Sequence, residues 1–264
     1  MGKQEHFTAF NVKKHGFQFG NTFNAEKIMD EMKIGYAIPN RGTPEYEIYK
    51  TMGAGLCSGM CWAALDRYFG KIKRPDTTES PQSGKLFKEL VHRNWDAMKW
   101  GWTIGKVIAY QACFDDGKLK LDKYTLGYKT QINEWPKIKE KLKKGIPATM
   151  VLITQSQLAL LNPLSLTKNH AVVAIGYKYD SDTKRVKIYA YDPNHRRNRI
   201  KISFTLGAEY YRLSIKHDEG DTLRGFFYNS YDRKERLITE KDVKEMDQEL
   251  IDDLSWFWLL FGSN

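Results

Sequence analysis

The sequence predicts an α+β fold, a helical part followed by an antiparallel sheet, with a cysteine on the first and a histidine and an aspartate on the second. Three stretches predict it. Residues 171–177 and 186–191 are apolar, strand-like runs, and Asp180, Ser181, Asp182, Thr183 and Lys184 between them read as a turn. Folding the runs into a hairpin brings His170, at the start of the first, beside Asp192, at the end of the second. An imidazole and a carboxylate placed so can hydrogen-bond. Upstream, residues 53–59 read Gly-Ala-Gly-Leu-Cys-Ser-Gly, and residues 60–69 combine helix-forming composition with an apolar face. Cys57 is therefore expected at a helix N-terminus.

These residue types in that placement point to thiol chemistry. Orphan amides and the positive end of the helix dipole favour thiolate over thiol, and an imidazolium partner lowers the thiol pKa further. Cys57, His170 and Asp192 are thus the candidate nucleophile, general base and orienting carboxylate. Cys61 is a rival nucleophile. It lies four residues on, so both sulfurs can share a helix face, but one turn inside the helix. Asn194 stands next in line for the orienting role. A metal reading takes His170, Asp192 and His195 as ligands, but no second Cys/His cluster has zinc-like spacing, and neither metal nor cofactor is expected.

The order of these motifs resembles that of papain-like cysteine peptidases, and most of all their bacteriocin-processing and related bacterial branch. The shared features are Cys-Ser at a helix start, His170-Ala171-Val172-Val173 opening a strand, and Asp192-Pro193 ending the next. Residues 135–153 fit the helix, Gly-x-Pro and apolar strand found ahead of the histidine in that branch. Cys57-Ser58-Gly59-Met60 is also similar to the opening of NlpC-type cell-wall peptidases, which share the papain-like core. The resemblance covers roughly residues 50–205. It implies a papain-like fold with a cleft between helices and sheet, hydrolysis of a peptide amide bond, and the roles given above for Cys57, His170 and Asp192. Two departures stand against it. Such peptidases usually carry a Gln six residues before the nucleophile, whose amide helps bind the oxyanion. Thr51 occupies that position, which leaves the second donor unassigned. Cys61-Trp62-Ala63, in turn, resembles the sequence at the papain nucleophile itself. The same constellation also supports acyl transfer to an amine, as in transglutaminase-like chemistry. From another class, the alternative is a catalytically silent papain-like module that binds through basic and aromatic surfaces.

Composition agrees with a folded enzyme. The 264 residues are 41% hydrophobic and 13% aromatic, enough for one sizeable core. The chain is read as a single domain with its core at about residues 50–205, an N-terminal extension at 1–49 and a C-terminal elaboration at 206–264. Three cysteines, an odd number, make no disulfide framework and argue for a reduced protein. Residues 1–7 lack the apolar core of a signal peptide, and no stretch reaches the roughly 18 apolar residues of a membrane span. The expectation is a soluble protein, cytoplasmic or exported without a cleavable signal, as an effector would be. The net charge of +10 gathers in residues 137–144, the solvated face of a helix, and in residues 195–201. Arg196, Arg197 and Arg199 follow Asp192 closely enough to attract an acidic substrate or anionic polymer. The plainer reading makes them a solvated loop. No nucleic-acid-binding module is present.

The remaining chain is read as follows. A helix is expected near residues 24–32, a connector at 38–44, a loop at 73–81 and a helix at 84–100. A buried strand is expected at 148–154, and a lid or crossing loop at 155–168 that delivers the chain to His170. Further strands are expected at 200–204, 210–215 and 225–231. A charged helix at 240–253 precedes an apolar run containing Trp256, Phe257 and Trp258, read as core packing or as a contact surface for a partner or membrane.

Overall fold

The apolar runs either side of the 180–184 turn form the longest hairpin of the computed structural model, β3 (His170–Asp180) against β4 (Arg185–Tyr191). The model describes residues 2–31, 42–43, 55–98, 102–113, 122–155, 168–196, 198–207, 215–218 and 222–234. Thr51, Arg197, nearly all of the expected lid, the expected helix at 240–253 and Trp256, Phe257 and Trp258 lie outside these.

The helical part comprises α1 (Val12–His15), α2 (Ala25–Glu31), α3 (Cys57–Gly70), α4 (Gly84–Met98) and α5 (Trp102–Gln111). After it come the short α6 (Leu126–Tyr128), a π-helical stretch (Lys129–Glu134) and α7 (Trp135–Lys143). The strands besides the hairpin are β1 (Lys3–Phe7), β2 (Ala148–Ile153), β5 (Arg199–Thr205), β6 (Ile215–His217), β7 (Thr222–Leu223) and β8 (Gly225–Tyr228). They make one antiparallel sheet in the order β7-β6-β5-β4-β3-β2-β8, with β1 also on β3. The fold is α+β, helices followed by an antiparallel sheet, as the sequence predicts.

Apolar clusters cover both faces of the sheet, and strand alternation sorts residues between them. Ala171, Val173 and Ile175 join Met60, Cys61, Trp62 and Leu65 of α3 and Leu90 of α4. Val172 and Ala174 join Ile138 and Leu142 of α7 with Ile188 and Ile202. A strand covered on both faces must be apolar at consecutive positions, so residues 171–177 read as a continuous run.

Beyond residue 174, β2 gives way to β1 along the same edge of β3, where Glu5 pairs with Lys178 and Phe7 with Gly176. That strand was not expected from the sequence. The expected strand at 210–215 falls outside the described residues except Ile215, which opens β6. The one expected at 225–231 ends at Tyr228, because the chain then turns to the helices. On the sheet side Asn229 N–H donates to Thr149 O at 3.0 Å and Asn229 O accepts from the Thr149 hydroxyl, while Asn229 Nδ2 donates to Ala97 O of α4 at 3.1 Å.

The helical part is held by buried charge as well as apolar packing. Arg67 of α3 forms a two-pronged ion pair with Glu89 of α4, its second prong at 2.7 Å, and Arg93 of α4 lies 2.7 Å from Asp66 of α3. Removing one partner of such a pair strands the other charge in the core, at a cost of roughly 3–5 kcal/mol. The two helices also approach closely at Gly59. A Cβ there would lie 2.1 Å from Leu90 O and 2.8 Å from Asn94 N, both backbone atoms that cannot swing aside. Gly59→Ala should therefore destabilise the protein by about 3 kcal/mol. The check is its urea unfolding midpoint against wild type; an unchanged midpoint would contradict this packing.

Candidate active site

The site assembles where the start of α3 meets one end of the β3–β4 hairpin. Cys57 is the first residue of α3, and Leu56 precedes it without a side-chain cap. Gly59 N–H donates to Asn94 Oδ1 at 3.0 Å, a cap supplied from α4. Cys57 is half-buried, whereas Cys61, one turn further in, is fully enclosed and donates its thiol hydrogen to Ala171 O at 3.4 Å.

His170 opens β3, and Asp192 follows the last residue of β4. The register pairs Val173 with Tyr191 and Ala174 with Ala190. Continuing the alternation, His170 and Asp192 extend from the same face, as Ala174 and Ala190 do. Their side chains meet, His170 Nε2 lying 2.6 Å from Asp192 Oδ1. That contact occupies Nε2 and leaves Nδ1 for the sulfur of Cys57, to which His170 is hydrogen-bonded. Asn169 steadies the approach to His170, its Oδ1 accepting from Thr154 N–H at 3.1 Å and its Nδ2 donating to Gln111 at 3.1 Å.

Asp192 has no exposed surface. Its Oδ1 also accepts the backbone N–H of Asn194 at 2.7 Å, and its Oδ2 faces His195 Nε2 and His217 Nε2, each at 3.9 Å. Asn194, the reserve candidate for the orienting role, thus reaches the site through its backbone; its side chain is exposed. His217 went unnoticed in the sequence. It lies on β6, 25 residues beyond Asp192, and no local pattern marks it. Among the described residues, no group of three or more His, Cys, Asp or Glu side chains is placed to hold a metal ion.

Electrostatics separate the two cysteines. Burial alone pushes the Cys57 thiol up, but the hydrogen bond and charge of His170, with the backbone N–H groups of Ala171 and Ser58, outweigh it and bring the thiol below its ordinary 9.0. Cys61 moves the other way. Burial, then the charges of Cys57 and Asp192, drive it well above that value, so it stays a neutral thiol. For His170, burial opposes the charged ring, but the charge and hydrogen bond of Asp192, and then Cys57, push it up to about 10. Burial likewise works against ionised Asp192, and the charge and hydrogen bond of His170, the Asn194 N–H and His195 hold it below the usual carboxylate value. The arrangement therefore favours a thiolate beside an imidazolium, with a carboxylate behind it. Folded His170 binds its proton more tightly than the unfolded chain does, at 6.5. The stability this contributes is complete below pH 6.5 and is lost as pH rises through about 10.

A cysteine at a helix start, beside a histidine paired with a buried carboxylate, resembles the arrangement of the papain-like cysteine peptidases. A family model matches residues 21–215, and the chain belongs to the Peptidase_C39 like family, bacteriocin-processing-peptidase-like proteins of papain-like fold, membership of which implies a cysteine peptidase. Searches of curated proteins and of solved structures return no match.

Iodoacetamide at neutral pH should label one cysteine quickly, Cys57, with Cys61 and Cys113 silent because both are buried. The pH dependence of that labelling should give an apparent pKa below 9.0, returning to the ordinary value when the chain is unfolded in urea. Mass-spectrometric mapping of the label across a pH series checks both; a label on Cys61 would reverse the assignment.

Proposed function

We propose that the protein hydrolyses an amide bond in a peptide or protein through Cys57, His170 and Asp192. The observation that carries this reading is the continuous chain of contacts from the Cys57 sulfur through His170 to Asp192, with 2.6 Å between His170 Nε2 and Asp192 Oδ1. The Cys57 thiolate attacks the scissile carbonyl, forming a carbon–sulfur bond and placing the electron pair of the carbonyl on its oxygen. Collapse of that intermediate expels the amine, which takes the proton from His170. Neutral His170 then draws a proton from water as the water attacks the thioester, and the acid leaves with the thiolate restored. Asp192 holds the ring in the tautomer and orientation both steps require.

Arg196 and Arg199 support an acidic substrate. Arg196 is exposed and lies against Gly20, and the Arg199 guanidinium sits 4.4 Å from the Tyr189 ring and 5.4 Å from that of Phe7. The ring faces orient the second cation without neutralising it. Both follow Asp192 within seven residues and add positive charge to the chain that leaves the site, which favours the approach of an anion. Among the described residues no helix is long and apolar enough to cross a membrane.

A peptide-library digestion read by mass spectrometry tests the activity and identifies the cleaved sequence. Cys57→Ala should abolish cleavage while Cys61→Ala retains most of it. Products joined to an added amine in place of hydrolysed ends would instead mark an acyltransferase, and absence of any product would favour a silent binding module. On the substrate so found, Asp192→Asn should lose at least about tenfold in kcat, because it disturbs the imidazole tautomer. The rate should fall on the alkaline side as His170 loses its proton near pH 10. Replacing Arg196 and Arg199 together by Gln should lower kcat/KM at low salt and leave kcat unchanged, the difference shrinking as salt screens charges over about 10 Å near 0.1 M. Equal kcat/KM at both salt levels would leave the two arginines as a solvated surface.

A further inference from the structure

Residues 17–23 read Phe-Gln-Phe-Gly-Asn-Thr-Phe and run outside any helix or strand across the core beside α3. Phe17 and Phe19 are each 1% exposed, and Phe23 packs on the same core. Asn21, in the same segment, is half-buried. It ends beside the start of α3, where its Oδ1 accepts the N–H of Leu56, the residue before Cys57, at 2.9 Å.

Among the described residues the rest of that carboxamide has no partner. Nδ2 donates to no acceptor among the described residues and lies so close to Gly55 that a Cβ there would stand 3.2 Å from it. Gly55 thus leaves the space the amide group occupies. The segment around Asn21 is held firmly. Ser80 Oγ donates to Gly20 O at 2.6 Å, Gln82 Nε2 donates to Thr22 O at 3.0 Å, and Asn24 N–H donates to Gln82 Oε1 at 2.8 Å.

Along the backbone from Leu56 to Gly59, each N–H but one has a named destination. Leu56 N–H goes to Asn21, Ser58 N–H to the Cys57 sulfur and Gly59 N–H to Asn94. The N–H of Cys57 has no acceptor among the described residues. Among the described residues, then, two donors at the start of α3 have no acceptor, the Cys57 amide and Asn21 Nδ2, the latter beside Gly55. Attack of a thiolate on a carbonyl creates an alkoxide beside the nucleophile, and fixed N–H donors lower the barrier there more than they would in water.

We infer that Asn21 supplies the side-chain N–H that, with the Cys57 backbone N–H, binds the oxyanion formed during acyl transfer; this rests on the reading of Cys57 as the nucleophile. Its oxygen is anchored on Leu56 and its nitrogen faces the reacting carbonyl oxygen, so one residue both fixes the helix start and stabilises the transition state.

Two small probes test it without a natural substrate. Acylation of Cys57 by p-nitrophenyl acetate passes through a tetrahedral oxyanion; alkylation of Cys57 by iodoacetamide needs the thiolate but forms no oxyanion. Asn21→Asp keeps an oxygen for the Leu56 N–H and removes the donor, and Asn21→Leu removes both without adding charge. Both variants should acylate at least about tenfold more slowly than wild type while their alkylation stays within about threefold. Acylation that falls no more than alkylation in either variant would overturn the inference and leave Asn21 as an anchor for Leu56. Wild-type protein that reacts with neither reagent at Cys57 would instead overturn the nucleophile reading, and the Asn21 role with it.

Discussion

The arrangement turns on one hydrogen bond, that between His170 Nε2 and Asp192 Oδ1. A fully enclosed carboxylate is tolerated only if paired, and Asp192 is paired by His170 and by the Asn194 backbone N–H. The pairing depends in turn on the β3–β4 register, since a slip of one residue would send His170 and Asp192 to opposite faces of the sheet. That register is fixed by burial on both sides. Val172 and Ala174 belong to the α7 core, while Ala171 and Val173 belong to the α3 core.

The thiol reaches this pair because the helical part is locked to the sheet independently of the site. Arg93 is the centre of that lock. It meets Asp66 of α3 and Asp96 of its own helix, donates to Asp232 O at 2.7 Å and lies 4.8 Å from the Trp62 ring. Tyr231 donates to Asp66 at 2.6 Å. The segment from Asn229 to Lys234 therefore ties the strand β8 to both α3 and α4. Such buried charges add little net stability over an apolar equivalent. What they add here is position, a helix start held against the end of a hairpin.

Much of this was legible from the sequence, for a physical reason. The hairpin, β2, α3 and α7 carry their own local signals, a turn between apolar runs or an apolar helix face beside charged residues, and each forms close to where those signals place it. Cys57, His170 and Asp192 stood out because each borders such an element. The parts that escaped notice depend on contacts distant in sequence. β1 is a polar, largely exposed strand whose pairing comes from the free edge of β3 beyond β2. His217 has no neighbour in sequence that explains its burial beside Asp192. Asn21 carries no local signal, because its contact is with Leu56, 35 residues away in the chain.

The central claim is that Cys57 exists as a thiolate paired with the His170 imidazolium. Thiolate ultraviolet absorbance, titrated against pH in wild type, Cys57→Ala and His170→Gln, measures it most directly. The account predicts one thiolate titrating below the ordinary 9.0 in wild type, absent in Cys57→Ala and displaced upward in His170→Gln, where burial acts without its counterweight. A wild-type curve with no thiolate below pH 9, or one that His170→Gln leaves unmoved, would contradict it.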